Sequence, residues 1–188
     1  MSSASAPRKA KFHYTPVAKF LHWAIVALLI IQYLSAWLMP GIRRNETPGF
    51  LLSIHMSFGL TIIAVMLVRL IWRITHSRAP EDMAAPRWQR TLALLTHHAF
   101  YALLLAIPFL GWAWASSRGW PVEVFGLFTL PSLVSVGSSW GRLAALLHSG
   151  FATILLGLVG LHVVAALYHR YVLEDDVMET MMLKKSSL

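Results

Sequence analysis

The chain contains no cysteine. That one absence closes several chemistries together: disulfides, thiolate metal sites, iron–sulfur clusters, c-type haem attachment and cysteine nucleophiles. Charge is also scarce. Only 13% of the 188 residues are charged, against about 25% in ordinary soluble domains. By contrast 57% are hydrophobic and the mean hydropathy is positive, which points to lipid as the solvent. Acidic residues are the rarer sign, 8 against 16 basic, for a net charge of +8. The basic residues gather at the ends of apolar runs, where membrane topology places them, so no nucleic-acid partner is expected. With no repeat, low-complexity stretch or composition break, residues 1–188 are expected to form a single transmembrane domain.

Four apolar runs stand out, at about 17–39, 50–75, 90–115 and 143–172. Each meets the roughly 20 residues needed to cross a hydrocarbon core of about 30 Å. Pro16 suits a helix start and Pro40-Gly41 a stop. The first run is too long and too aromatic for a signal-peptide core, and no small-residue cleavage site follows it. Pro108 interrupts the third run, which membrane helices tolerate when neighbours satisfy the freed carbonyl. The expected fold is therefore all-α, an integral membrane four-helix bundle. The stretch Glu123–Trp140 is apolar enough to lie on the membrane surface as a short helix or lid.

Four spans place the N-tail, the loop around Thr75–Gln89 and the C-tail on one side. That side collects twelve of the 16 basic residues; the other has only Arg43, Arg44, Arg118 and Arg142. The positive-inside rule then puts both termini in the cytoplasm, with the far face periplasmic if the membrane is a bacterial inner membrane.

The chemistry lies in the nine histidines. His148 and His162 are 14 residues apart on the fourth span. At 100° per residue they fall about 40° short of four full turns, and at 1.5 Å rise they lie about 21 Å apart. One helix face thus presents two imidazoles at two depths. His22 lies about five residues into the first span, near the cytoplasmic side, and His55 about five into the second, near the opposite side. Matching depths pairs His22 with His162 inside and His55 with His148 outside. Two imidazoles facing across a bundle suit a bis-histidine haem iron. Gly59, Gly150 and Gly157 leave room for a broad macrocycle or a close helix, and Ser57, Ser149 and Thr153 are candidate hydrogen-bond partners. Any one membrane histidine also has a plainer explanation, as a satisfied polar group. Zinc fits less well, because two ligands at each of two distant sites leave its coordination incomplete.

Several segments taken together resemble the prokaryotic cytochrome b561 family. They are His22-Trp23, Ile54-His55 with Gly59, Val68-Arg69-Leu70-Ile71-Trp72-Arg73, His97-x-x-x-Tyr101, Pro108-x-x-Gly111, Ser117-Arg118-Gly119, Phe125-Gly126-Leu127, and finally His148, Leu161-His162 and His169. The resemblance covers nearly the whole chain in order. It implies a four-helix bundle with two b haems ligated by His22, His55, His148 and His162. Some members are membrane subunits of hydrogenases and formate dehydrogenases that pass electrons to quinone. The compact length resembles the stand-alone branch, which includes a superoxide oxidase that takes electrons from superoxide at the periplasmic face and reduces ubiquinone. The segment Ser138-Ser139-Trp140-Gly141-Arg142 carries fewer polar residues than that branch leads one to expect.

Other candidates have two readings each. Arg69 and Arg73, four apart near the cytoplasmic end of the second span, pair with haem propionates or a quinone carbonyl, or simply snorkel. His169, two turns beyond His162, either hands protons to reduced quinone or is an interfacial polar residue. His97 and His98 point about 100° apart on a helix; the resemblance favours His97 as the inward one, beside the inner haem, with His98 partly lipid-facing. His13 and His76 are expected in solvent. The tryptophans are mostly interfacial anchors, with Trp23 and Trp72 as candidates to pack on haem. Arg118 is the candidate for attracting a small anion such as superoxide to the outer haem; Arg43 and Arg44 fit ordinary loop charge better. Superoxide, quinone and lipid are thus the expected partners. The alternative function is a cytochrome b conduit docked to a separate dehydrogenase. A haem-free scaffold or transporter would leave the histidine pairing unexplained.

Overall fold

Pro16 starts the first helix as the sequence leads one to expect, and Thr15 caps it. The Thr15 hydroxyl accepts from the Ala18 amide at 3.2 Å, and Pro16 occupies a first-turn position where its missing N–H costs nothing. The computed structural model describes residues 14–41, 49–76 and 86–182. Its elements are α1 (Pro16–Leu38), α2 (Phe50–His76), α3 (Arg87–Ser117), β1 (Val122–Val124), β2 (Phe128–Leu130), α4 (Trp140–Tyr171) and α5 (Val177–Met181). Helices α1 to α4 are each long and apolar enough to cross a membrane.

They run alternately up and down. Early α1 meets late α2 where Arg69 donates to the Ala18 carbonyl at 3.0 Å. Late α1 meets early α2 where Gln32 donates to the His55 carbonyl at 2.8 Å. Late α3 meets early α4 through His148 and the Ile107 carbonyl at 2.9 Å. The bundle therefore has a terminal end, where α1 starts and α4 stops, and a hairpin end carrying β1 and β2. Midway sits a dry layer of Ile25, Ile62, Met66, Leu104 and Leu155, with at least one residue from each spanning helix. Leu155 lies seven residues from both His148 and His162, so this apolar layer separates the two histidine levels.

Helix α3 runs through Pro108 as one helix and extends beyond the expected run at both ends. Its added residues include Arg87, Ser116 and Ser117, polar groups that a hydropathy window discounts. It stops in a Schellman turn: the Trp120 amide donates to Ala115 O and the Gly119 amide to Ser116 O, with Gly119 at φ 72° where glycine is unstrained. Helix α4 begins three residues earlier than expected because Gly141 lets it abut the end of α3. A Cβ there would overlap the Ser117 side chain.

The stretch Glu123–Trp140, expected as a short helix or lid on the membrane surface, forms no helix before Trp140: its first part belongs to an antiparallel hairpin pairing Val122 with Leu130 and Val124 with Phe128. Its period is two, with Val122 buried, Glu123 exposed and Val124 partly buried. The turn places Phe125 at φ 51° and Gly126 at φ 69°, closed by the Leu127 amide on Val124 O at 2.9 Å. A left-handed conformation costs a non-glycine residue about 1–2 kcal/mol. Phe125 offsets it with an edge contact to Phe58 at 5.2 Å and an amide bond to the Ser57 hydroxyl at 3.0 Å.

The short α5 was not expected. It lies across the terminal end, held to α4 by Arg170–Glu179 at 2.9 Å. On α1, Trp23 donates to Met181 O and Lys19 to Met182 O.

Candidate functional site

At the hairpin end, His55 on α2 and His148 on α4 face one another with ring centres 6.1 Å apart and planes at 68°. At the terminal end, His22 on α1 and His162 on α4 stand 6.4 Å apart at 66°. A metal bound by two imidazole nitrogens at about 2.0 Å each would set the ring centres roughly 6.3 Å apart. Both expected pairs are therefore present at a spacing that bis-imidazole ligation requires.

The hairpin-end pair is also oriented for it. Ser35 donates its hydroxyl hydrogen to Gln32 O at 3.0 Å, so its oxygen accepts from His55 Nδ1 at 3.1 Å. The Gln32 carbonyl lies 3.3 Å from the same nitrogen. His148 Nδ1 donates to the Ile107 carbonyl. Each ring thus keeps its proton on Nδ1, leaving Nε2 with a bare lone pair, the state a metal needs. A cavity of about 410 Å³ is lined by both histidines together with Tyr33, Leu60, Gly111 and Leu156. Gly111 permits this arrangement. A Cβ on it would lie 2.9 Å from His148 Cε1 and 3.0 Å from Nδ1, so any side chain displaces the ring. Among the described residues no three His, Asp or Glu side chains gather as a metal cage. Paired imidazoles flanking an apolar slot instead fit an iron whose remaining ligands come from a planar macrocycle.

The terminal-end site holds three imidazoles. His162 lies 6.1 Å from His97 as well as 6.4 Å from His22. His97 is tied by Nδ1 to Ala93 O at 2.7 Å on its own helix, and Phe100 lies edge-on to His162 at 5.4 Å on the same α3 side. His22 reaches His162 from α1, and α1 and α4 are otherwise joined by a hydrogen bond from Tyr33 to Ala152 O at 2.6 Å near the hairpin end. His98 is exposed, as expected.

The remaining candidates fall at the two ends. Arg69 and Arg73 line a small pocket with Tyr14, Ala18, Trp72 and Tyr101, and the Arg73 guanidinium sits 5.7 Å from the Tyr101 ring centre. His169 Nδ1 bonds Asp175 Oδ2 at 2.6 Å. At the other end the Arg118 guanidinium covers the Trp120 ring at 4.4 Å. Trp120 then contacts Trp114, and Trp114 contacts His148, at 6.3 and 6.2 Å. Arg118 is so connected to the histidine by two indoles.

Most other candidates make contacts apart from the two histidine pairs or lie outside the described residues. Gly150 and Gly157 have nothing within 4 Å of a built Cβ and are exposed; they lie about 160–180° around α4 from His148. Ser149 and Thr153 bond carbonyls of their own helix. Ser57 holds the hairpin. Trp72 stacks on His76 at 3.8 Å, and Trp23, edge-on to His22 at 5.7 Å, donates to the end of α5. His13, Arg43 and Arg44 lie outside the described residues. The sequence reading missed Gln32 and Ser35. The signal was available: both are buried polar residues in a membrane helix, which is costly unless they have a partner.

A family model described as prokaryotic cytochrome b561 matches residues 13–184. A probable superoxide oxidase, CybB, of Yersinia pestis is 30% identical over 165 residues, spanning 88% of this chain and 93% of its own length. Cytochrome b561 homolog 2 of Escherichia coli K12 is 25% identical over 191 aligned positions, spanning 100% and 98%. Cytochrome b562 of Cereibacter sphaeroides is 29% identical over 180, spanning 90% and 94%.

Proposed function

Because the chain belongs to the prokaryotic cytochrome b561 family, a family of b-haem proteins that transfer electrons across bacterial membranes, we propose that it is a dihaem superoxide:ubiquinone oxidoreductase. The observation that carries the haem assignment is the pair of facing imidazoles at each end of one helix, at 6.1 and 6.4 Å. We assign His55 and His148 to one haem b, and His22 and His162 to the other. The iron of haem b supplies reversible one-electron chemistry when bound. The protein holds the two ligand pairs about 21 Å apart along α4, with the apolar layer around Leu155 excluding water between them.

The terminal end is assigned to the cytoplasm by the distribution of basic residues, which makes the hairpin end periplasmic and the membrane the bacterial inner membrane. Arg118 then stands on the side where superoxide arrives. Its charge attracts the anion, and the Trp120–Trp114 contact connects that position to His148. One superoxide gives up one electron and leaves as dioxygen; two such events and two protons convert a quinone to quinol. On the cytoplasmic side Arg69 and Arg73, beside Tyr101, supply cationic donors for a quinone carbonyl or a propionate. His97 flanks the inner pair as a non-ligand neighbour. His169, which bonds Asp175, is assigned the exchange of protons with the cytoplasm. The probable superoxide oxidase CybB, aligned over most of both chains, supports this donor.

Anaerobic mixing of the purified protein with a superoxide source and a short-chain ubiquinone should produce quinol, and Arg118→Ala should slow the second-order step about tenfold while flattening its dependence on salt. Haem that stays oxidised in superoxide but is reduced by a dehydrogenase would replace the enzyme with the conduit. An unchanged rate and salt slope in Arg118→Ala would remove Arg118 from docking.

A further inference from the structure

The hairpin presents large apolar side chains that no other described residues cover. Leu127 is 79% exposed, Phe128 56% and Phe125 50%. In water such a tip would be an unexplained cost, so its depth in the bundle decides what it meets. From Phe50 to Val68, α2 carries no Asp, Glu, Lys or Arg. Those 19 residues rise about 29 Å, matching the hydrocarbon thickness of about 30 Å, which puts the start of α2 at one membrane boundary. Ser57 lies seven residues inside that boundary, about 10 Å along the helix and within one turn of His55. The hairpin is bonded there: the Ser57 hydroxyl lies 3.1 Å from Glu123 O and accepts from the Phe125 amide at 3.0 Å. A second anchor agrees, since Trp112, five residues before the end of α3, donates to Pro131 O at 3.1 Å.

We propose that the turn Phe125–Phe128 is seated in the lipid of the membrane leaflet at the hairpin end, a re-entrant wedge rather than a loop in solvent. Lipid is the occupant because the exposed tip lies beside Phe58, below the end of a membrane-spanning helix and continuous with its apolar surface. Non-helical backbone at that depth is tolerated only where its polar groups are satisfied. The strand pairing, the 124–127 turn bond and Ser57 provide this. Glu123 and Thr129 are paired across the strands, on the face opposite Val122 and Leu130. Trp120 and Val122, which precede the tip, line the cavity at His55 and His148, so the wedge keeps lipid and water from that site.

The absence of cysteine makes the test clean. Leu127→Cys, and separately Phe128→Cys, are spin-labelled in the full-length protein in liposomes, with Ser135→Cys as an exposed loop reference and retained haem absorbance as the check on folding. Relaxation by dioxygen, which concentrates in lipid, is compared with relaxation by a water-soluble nickel chelate. The expected result is a dioxygen effect several-fold above the nickel effect at Leu127 or Phe128, and the reverse at Ser135. A nickel effect at the tip equal to that at Ser135 places it in water and overturns the proposal. Protection from both reagents shows a protein cover, a second copy or a partner, and overturns it equally.

Discussion

Replacing His162 with alanine is expected to leave one haem b per chain where the parent protein holds two, with the surviving haem at the hairpin end. The two ligand pairs share α4 but no side chain, and the layer of Ile25, Ile62, Met66, Leu104 and Leu155 packs between them without either imidazole. Loss of one pair therefore need not disturb the other. The terminal end adds a sharper test, because His162 has two imidazole neighbours at nearly equal distance. A macrocycle needs a gap between helices. His97 is fastened to its own helix at Ala93 and flanked by Phe100, whereas His22 faces His162 across the weakly bridged α1–α4 side. His22→Ala should thus reproduce the loss seen in His162→Ala, and His97→Ala should keep both haems. Haem quantified per chain, with visible spectra to identify the remaining species, decides the matter. Loss of haem in His97→Ala with retention in His22→Ala would reverse the assignment.

Gly111→Val is expected to produce the complementary defect without touching a ligand. Even the first carbon of a side chain would lie 2.9 Å from His148 Cε1, and valine adds two methyl groups behind it. The imidazole is held against this same face of α3 by the Ile107 carbonyl, one turn from Gly111, so it cannot move away from the new side chain and keep its hydrogen bond. Disturbing such an orienting contact typically weakens ligation about 10–100-fold. The haem at the hairpin end should be lost on purification while the one at His22–His162 remains. Gly59→Ala is the contrasting case. Its added Cβ would lie 3.6 Å from the Gln32 amide, an ordinary contact, and both haems should stay. Equal haem content in Gly111→Val and the parent would remove Gly111 from the site.

The parts of this fold that were legible in the sequence are those governed by one helix at a time. A spacing of 14 residues puts His148 and His162 on one face whatever surrounds them, and four charge-poor runs announce four spans through length alone. Depth matching could then pair helices, because a membrane supplies a common ruler. What escaped depends on which neighbour a residue meets. Gly150 and Gly157 are chemically the same as Gly111, and only the packing of α3 against α4 shows which one faces His148. Gln32 and Ser35 orient His55 from a different helix. The apolar content of 123–140 suggests a short helix or lid, and the hairpin at 122–130 shows only in its period of two. The α5 segment exists through contacts made by Arg170, Trp23 and Lys19, none of which leaves a local pattern.

The most direct test is the number and spin state of haems in the purified parent protein, measured as haem b per chain together with low-temperature electron paramagnetic resonance. The expected result is two haems per chain, both low-spin, as two bis-histidine sites require. A single haem per chain, or a high-spin signal from a five-coordinate iron, would contradict the pairing of His55 with His148 and of His22 with His162.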